Sequence, residues 1–371
     1  MHAAFREREL ETVRLSLRHS KQKIDFEQEV QGMLQFSLFA VRDIGESAQR
    51  FVAAWALPAW FHWDVVLTHF IAVTMLVLGL SIVLKNARHE ANLWEKFVLC
   101  GPVFFAMPMA VFGTEHFLDP VNIGNLIPKW VPAHLFLAYF VGACLVAASL
   151  SIVFRKLDGL SAGLIGVMFL SFEALMHIPI AVKFPHNRIA WVIAARDFTF
   201  SWAALSLAAT HTTKWRDHGT HWLISAARVS IGGLITFVGV QHFLHPELVP
   251  GFPLRQFTPA FFPGHLLWGY LTGVVYVAGG VFLLIKRKER LAAIWLGVFV
   301  FCAMLIFSVP YMIQHGGVAG LNLPLDNLML SGALLCLSGS LAGKPISPRN
   351  EAGRLEPAVI SSVTAQRTVD V

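Results

Sequence analysis

"GTEHFLDP", residues 113–120, returns 126 residues later as "GVQHFLHP" at 239–246. In both strings a His follows Gly at the third position, Phe-Leu comes next, and Pro closes the string. The chain continues in step. "VPAHLFLAYFVG" (131–142) is echoed by "FPGHLLWGYLTG" (262–273), so that His134 and His265, Tyr139 and Tyr270, and Gly142 and Gly273 each lie 131 apart. Arg155-Lys156 and Lys286-Arg287 keep that offset, as do Pro179 and Pro310, while Asp197 and Asp326 are 129 apart. Matches that hold their register over about a hundred residues point to a duplicated module.

What lies between these marks sets the fold class. The 371 residues are 56% hydrophobic and 14% charged, where a soluble domain is about a quarter charged. Mean hydropathy is +0.60. The apolar residues come in blocks of the length a membrane helix needs, about 20 residues. The blocks predict nine spans, near 60–84, 97–118, 133–154, 160–182, 189–210, 222–243, 263–285, 290–312 and 326–342. In hydrocarbon every backbone polar group must be bonded internally, so the runs are expected to be helices. Trp60, Trp63, Trp130, Trp191 and Trp222 fall near span ends, where amphipathic rings favour the interface.

The expected architecture is therefore all-α: a polytopic integral membrane protein with two parallel four-helix transmembrane bundles plus one extra N-terminal span. Residues 1–58 read as a charged amphipathic segment with Leu10, Val13, Leu17 and Ile24 at helical spacing. Residues 59–95 hold the extra span and a basic loop, 96–211 the first module, 212–343 the second, and 344–371 a disordered tail. Each module has an even number of spans, so the two enter from the same side and are parallel repeats.

Basic loops alternate with poor ones. Lys85, Arg88 and Lys96, then Arg155-Lys156, Lys214 with Arg216, Lys286-Arg287-Lys288 with Arg290, and a basic tail fall on one side. The intervening loops hold only Lys129, Lys183, Arg188 and Arg255. The positive-inside rule places the first set in the cytoplasm. Both His-Phe-Leu strings then lie at the exterior ends of their helices. The net charge of +6 is spread over these loops, which argues against nucleic acid as a partner. A multi-pass protein of a bacterial inner membrane is expected. The first span would direct insertion, since residues 1–31 lack a signal-peptide core.

Cys100, Cys144, Cys302 and Cys336 form no CxxC or CxxCH, which argues against a dithiol site and c-type haem attachment. No metal site is expected. GxGxxG opening a helix, a P-loop, HExxH and GxSxG are all missing.

The module has a recognisable plan. Gly-x-x-His-Phe-x-x-Pro closes its first helix, Pro-x-His opens the second, Tyr-x-x-Gly and basic residues follow, and an Asp-led helix ends it, "LPLDNLMLSGALL" at 323–335. This resembles the DoxX-like family of small four-helix bacterial membrane proteins, here as a tandem duplication. The resemblance implies a membrane helix bundle and a lean toward quinone-linked redox chemistry, with other membrane redox subunits as partners besides the lipid bilayer. The leading span and the tandem arrangement depart from the simple four-helix pattern.

Two sets of side chains are candidates for chemistry. His116 and His134 in the first module, and His242 and His265 in the second, form a candidate cofactor-binding set. Two imidazoles from neighbouring helices suit a b-type haem, a metal or a hydrogen bond to a quinone carbonyl. The plainer reading is that a His in the last turn answers loose carbonyls and the helix dipole, before Pro120 and Pro246 stop the helix. The second set is Glu173, His177 and Asp197, read as proton-handling groups. "FEALMHIP" puts Glu173 and His177 on one face, and ionisable groups inside a span pair, line cavities or carry protons. A Glu173–Arg196 ion pair is the structural alternative. At the 131 offset Glu173 and His177 become Met304 and Ser308, and Arg196 becomes Leu325 at 129, so the polar set belongs mainly to the first module. In the leading span His69 is read as a packed, hydrogen-bonded core residue. The leading functional expectation is a redox-linked subunit binding a quinone or other lipophilic ligand. Its alternatives are a small-solute transporter and a non-catalytic membrane assembly protein.

Overall fold

In the computed structural model, the apolar blocks are helices. It describes residues 62–87, 92–211, 220–259 and 262–342. The expectations for residues 1–58 and for the tail 344–371 lie outside the described residues. In chain order the helices are α1 (Trp63–Asn86), α2 (Leu93–Leu99), α3 (Gly101–Leu118), α4 (Pro120–Leu126), α5 (His134–Val153), α6 (Asp158–Phe172), α7 (Ile178–Lys183), α8 (Arg188–His211), α9 (Thr220–Leu244), α10 (His265–Leu284), α11 (Glu289–Ala303), α12 (Val309–His315) and α13 (Gly317–Leu341). Among the described residues the sole strand-like pairing is an isolated bridge, Leu248 to Phe257.

Eight stretches are long and apolar enough to cross a membrane: α1, Leu93–Leu118, α5, Asp158–Lys183, His221–Leu244, α10, Glu289–His315 and Gly320–Leu341. The expected fifth span, near 189–210, is the helix α8 but is not among the eight. It carries Arg188, Arg196 and Asp197. Its polarity is tolerated because the helix is largely enclosed, with Val192, Ala204 and Leu207 at 0–1% exposure. The last helix begins at Gly317 rather than near 326, because Pro324 and two asparagines interrupt the apolar run without ending the helix. Pro120 ends α3 as expected but also opens a short new helix, α4, a position where its missing N–H costs nothing.

Elements 131 residues apart have matching bounds. Helix α5 matches α10 and α6 matches α11, end for end. The residues before them match too: Ala133 and Gly264, and Leu157 and Lys288, all lie in the left-handed region. Each of α6 and α11 runs into a π-helical turn, Glu173–His177 and Met304–Ser308, again 131 apart. Pro179 and Pro310 explain both turns. A proline two residues into the next segment lacks an N–H and its ring crowds the carbonyl four residues back, so the hydrogen-bond ladder slips by one residue.

The helices of the two halves interleave. Helix α3 packs on α5 and α9 on α10, while α6 packs on α8 and α11 on α13. Across the halves, α13 packs on α3 and α8, and α8 on α9. The centre is therefore α8 and α13. The apolar stretch of α13 is 94% buried, against 22% for α1 at the edge.

The Gly of the repeated string makes the first crossing in each half. A Cβ on Gly113 would stand 2.8 Å from the Gly142 carbonyl, and one on Gly142 would meet the Cβ of His116 at 2.7 Å. In the second half a Cβ on Gly239 would be 2.8 Å from the Val277 nitrogen.

Candidate functional site

The polar side chains of the core converge where α8 meets α13 and the first π-turn. The slipped ladder at Glu173–His177 turns His177 toward α8, and its Nε2 lies 2.9 Å from Asp197 Oδ2. The other oxygen of Asp197 accepts from Arg196 Nε at 2.7 Å. Arg196 also reaches across to α13, where Nη1 donates to Asp326 Oδ2 at 2.8 Å. One guanidinium thus joins two carboxylates, Asp197 on α8 and Asp326 on α13, which lie 129 residues apart in the sequence. The side chains of Asp197 and Asp326 are 11% and 7% exposed, and those of Arg196 and His177 are 22% and 20% exposed.

Glu173 is 3% exposed, and its Oε2 has no hydrogen-bond partner among the described residues. It lies in the electrostatic field of Asp197 and Arg196. The alternative Glu173–Arg196 ion pair is not made: Arg196 goes to the two aspartates. Three of the residues singled out from the sequence, Glu173, His177 and Asp197, come together. Sequence reasoning left out two further members, Asp326 and Glu115. The carboxylate of Glu115 accepts from Asn322 Nδ2 at 3.4 Å, and Asn322 is one helical turn before Asp326 on α13. The signal for Asp326 was the repeat itself. Glu115 stands beside His116 inside the repeated string, where the His drew attention first.

The four histidines of the other candidate set are not brought together into one site. His116 Nδ1 lies 2.7 Å from the Phe112 carbonyl one turn back. His134 Nε2 lies 3.1 Å from the Pro128 carbonyl, which ties down the loop before α5. His265 is exposed at the start of α10. His242 is fully buried, and its Nε2 lies 3.0 Å from the Gly251 carbonyl. These are contacts to backbone carbonyls at helix ends and loops, the punctuation role. His69 Nδ1 likewise lies 2.7 Å from the Val65 carbonyl on its own helix. Among the described residues no group of three or more His, Cys, Asp or Glu is arranged to hold a metal ion.

The second half differs from the first at the matching place. Ser308, which stands where His177 stands, accepts from Asn327 Nδ2 at 2.9 Å, and Asn327 Oδ1 accepts from the Phe252 N–H at 3.3 Å. The loop after α9 folds inward, with Leu248, Val249 and Phe252 at 1–3% exposure. Arg188, at the start of α8, donates to the Pro253 and Leu254 carbonyls. Buried irregular backbone needs such partners. Arg188→Met should therefore lower stability by about 1.5–3 kcal/mol, the worth of a hydrogen bond to a charged group. It should also speed amide exchange at 249–258 while leaving α5 unchanged, and hydrogen–deuterium exchange followed by peptide mass spectrometry checks both. Comparison of the chain with protein-family models, curated proteins and solved structures found no match.

Proposed function

We propose that the chain is a multi-pass protein of a bacterial inner membrane, built from two DoxX-like modules, and that the cluster around Arg196 is a proton-handling site for a lipophilic ligand of the quinone type. The observation that carries this reading is the His177–Asp197 pair and its surroundings. His177 is partly exposed, and the helix around it presents Leu175 at 47%, Ile178 at 43%, Ile180 at 42% and Val182 at 63% exposure. An acid–base pair on a segment that also carries exposed aliphatic side chains suits a ligand that arrives through hydrocarbon. Trp63, Trp130 and Trp222, 61–69% exposed near helix ends, suit the interface.

The chemistry follows from the pair. With Nε2 engaged by Asp197, Nδ1 is the ring atom left to meet a ligand oxygen. Asp197 fixes the ring and stabilises the imidazolium when a proton arrives. Arg196 donates to the other oxygen of Asp197 and so fixes the carboxylate beside the ring. Glu173, buried beside the pair, is a second proton carrier. Asp197 and Asp326 share the Arg196 guanidinium, Glu173 and Glu115 lie outside that pairing, and an isolated buried carboxylate is strongly disfavoured. The acid surplus is thus a store of exchangeable protons.

The test is binding of decylubiquinone to the purified, detergent-solubilised protein, followed by quenching of tryptophan fluorescence. Loss of one charge-assisted hydrogen bond in His177→Ala should weaken binding about 10- to 100-fold. No binding by the wild type, or equal binding by His177→Ala, would sink the reading. A second reading, proton-coupled transport of a small solute, draws on the place of the cluster between helices of both halves, where repeat transporters hold their substrates. Solute uptake into proteoliposomes that Asp197→Asn abolishes, in a protein that ignores decylubiquinone, would select it.

A further inference from the structure

We infer that Glu115 is a second proton station of this cluster, linked to His177 through Asn322, Asp326, Arg196 and Asp197, and that it releases a proton toward the outer end of α3 when the His177 end takes one up. The inference rests on the proton-handling reading of the cluster but not on the identity of its ligand.

The contacts run in two stretches, His177 to Asp326 and Asn322 to Glu115, joined by one turn of α13. His177 meets Asp197 at 2.9 Å, Asp197 meets Arg196 at 2.7 Å, and Arg196 meets Asp326 at 2.8 Å. Asn322, one turn from Asp326, donates to Glu115 at 3.4 Å, and Glu115 also lies in the field of Asp326. The far end is incomplete. Glu115 Oε1 and Asn322 Oδ1 are both buried acceptors without a partner among the described residues. An O–H on Glu115 would supply a donor there, and its departure would leave an anion steadied by the Asn322 amide. Glu115 stands in the last turn of α3, which ends at Leu118, and Asp119 beyond it is exposed. The route from Glu115 to water is about one helical turn, roughly 5 Å.

Arg196 couples the two ends by charge rather than by passing a proton. When His177 gains a proton, Asp197 is satisfied from that side and the guanidinium is freer to lean on Asp326. The added positive charge favours the anion at Glu115. The balance is simple: an N–H bond forms on His177, an O–H bond breaks on Glu115, and no electrons move. Other titratable groups on the elements packed against α3 are His134, Tyr139 and Cys144 on α5, Cys336 on α13, Glu95 and Lys96 on α2 and, on α1, Asp64 and His69 toward one end and Lys85 toward the other. His134 and His69 are held by backbone carbonyls. His116 is Glu115's neighbour on its own helix.

The experiment is infrared pH-difference spectroscopy on the full-length, ligand-free protein in detergent. Glu115→Gln should remove one carboxylic-acid C=O band and keep the hydrogen bond to Asn322. The pH midpoint of that band should move by about one unit in Asp326→Asn, the size expected of directly interacting sites, and by a smaller, measurable amount in His177→Gln. Glu115→Asp, which restores a carboxyl group, should return a band that still responds to Asp326→Asn. If no band is lost in Glu115→Gln, or if the midpoint ignores both substitutions, the inference is wrong. Linked bands in a protein that fails to bind decylubiquinone would overturn the ligand reading and leave this one standing.

Discussion

Arg196→Leu should destabilise the protein by about 3–5 kcal/mol, the usual result of removing one partner from a buried ion pair. The size follows from what remains. Asp197 and Asp326 would face each other across α8 and α13 with their shared cation gone, and neither is more than about a tenth exposed. The triple variant Arg196→Leu, Asp197→Asn, Asp326→Asn should recover most of that loss, because removing all the charges together takes away the penalty as well as the pair. Thermal unfolding in detergent, monitored by circular dichroism, measures both. A single variant as stable as the wild type, or a triple variant no better than the single, would show that the triad does not hold the central helices. Wild-type stability in the triple variant with decylubiquinone binding lost would separate the packing role from the chemical one.

Gly332→Leu should prevent the native packing altogether. A Cβ at this position on α13 would lie 2.3 Å from the Phe105 nitrogen and 2.8 Å from its Cα. The obstacle is backbone, so no rotamer change relieves it. Gly332→Ala already forces α3 and α13 apart, at the 1–3 kcal/mol typical of overpacking. The leucine adds three carbons to the same contact. Size-exclusion chromatography should show the alanine variant as a folded species of reduced melting temperature and the leucine variant as aggregate. Normal elution of the leucine variant would mean that α3 and α13 do not approach as closely as described.

Much of this fold was legible in the sequence, for an identifiable reason. A helix long and apolar enough to cross a membrane shows as an unbroken block, so it can be read directly, and α1, α5 and α10 were. The same logic failed at the centre. Helices α8 and α13 are surrounded by protein, which frees them to carry Arg196, Asp197, Asn322, Asp326 and Asn327, and their hydropathy falls. The start of α13 was missed by nine residues on that account. The π-turns were foreshadowed by Pro179 and Pro310, but periodicity alone does not reveal a slip of one residue. Glu173, His177 and Asp197 were legible because charge in an apolar run is conspicuous. The partner of Arg196 was not, since a local Glu looks as suitable as an Asp 130 residues away until the helices are placed. The repeated His-Phe-Leu string held two meanings. Its Gly sets a helix crossing, its His answers a carbonyl, and the residue before the first His meets Asn322.

The lone guanidinium between two aspartates sets a limit on symmetry. An assembly of two identical subunits can place only even numbers of any side chain around its axis. Two arginines there would repel each other, and none would leave two carboxylates face to face. A single polypeptide is free of that parity rule. Arg196 on α8 has Leu325 129 residues later on α13, so an odd charge sits between the two helices, an arrangement closed to a symmetric pair.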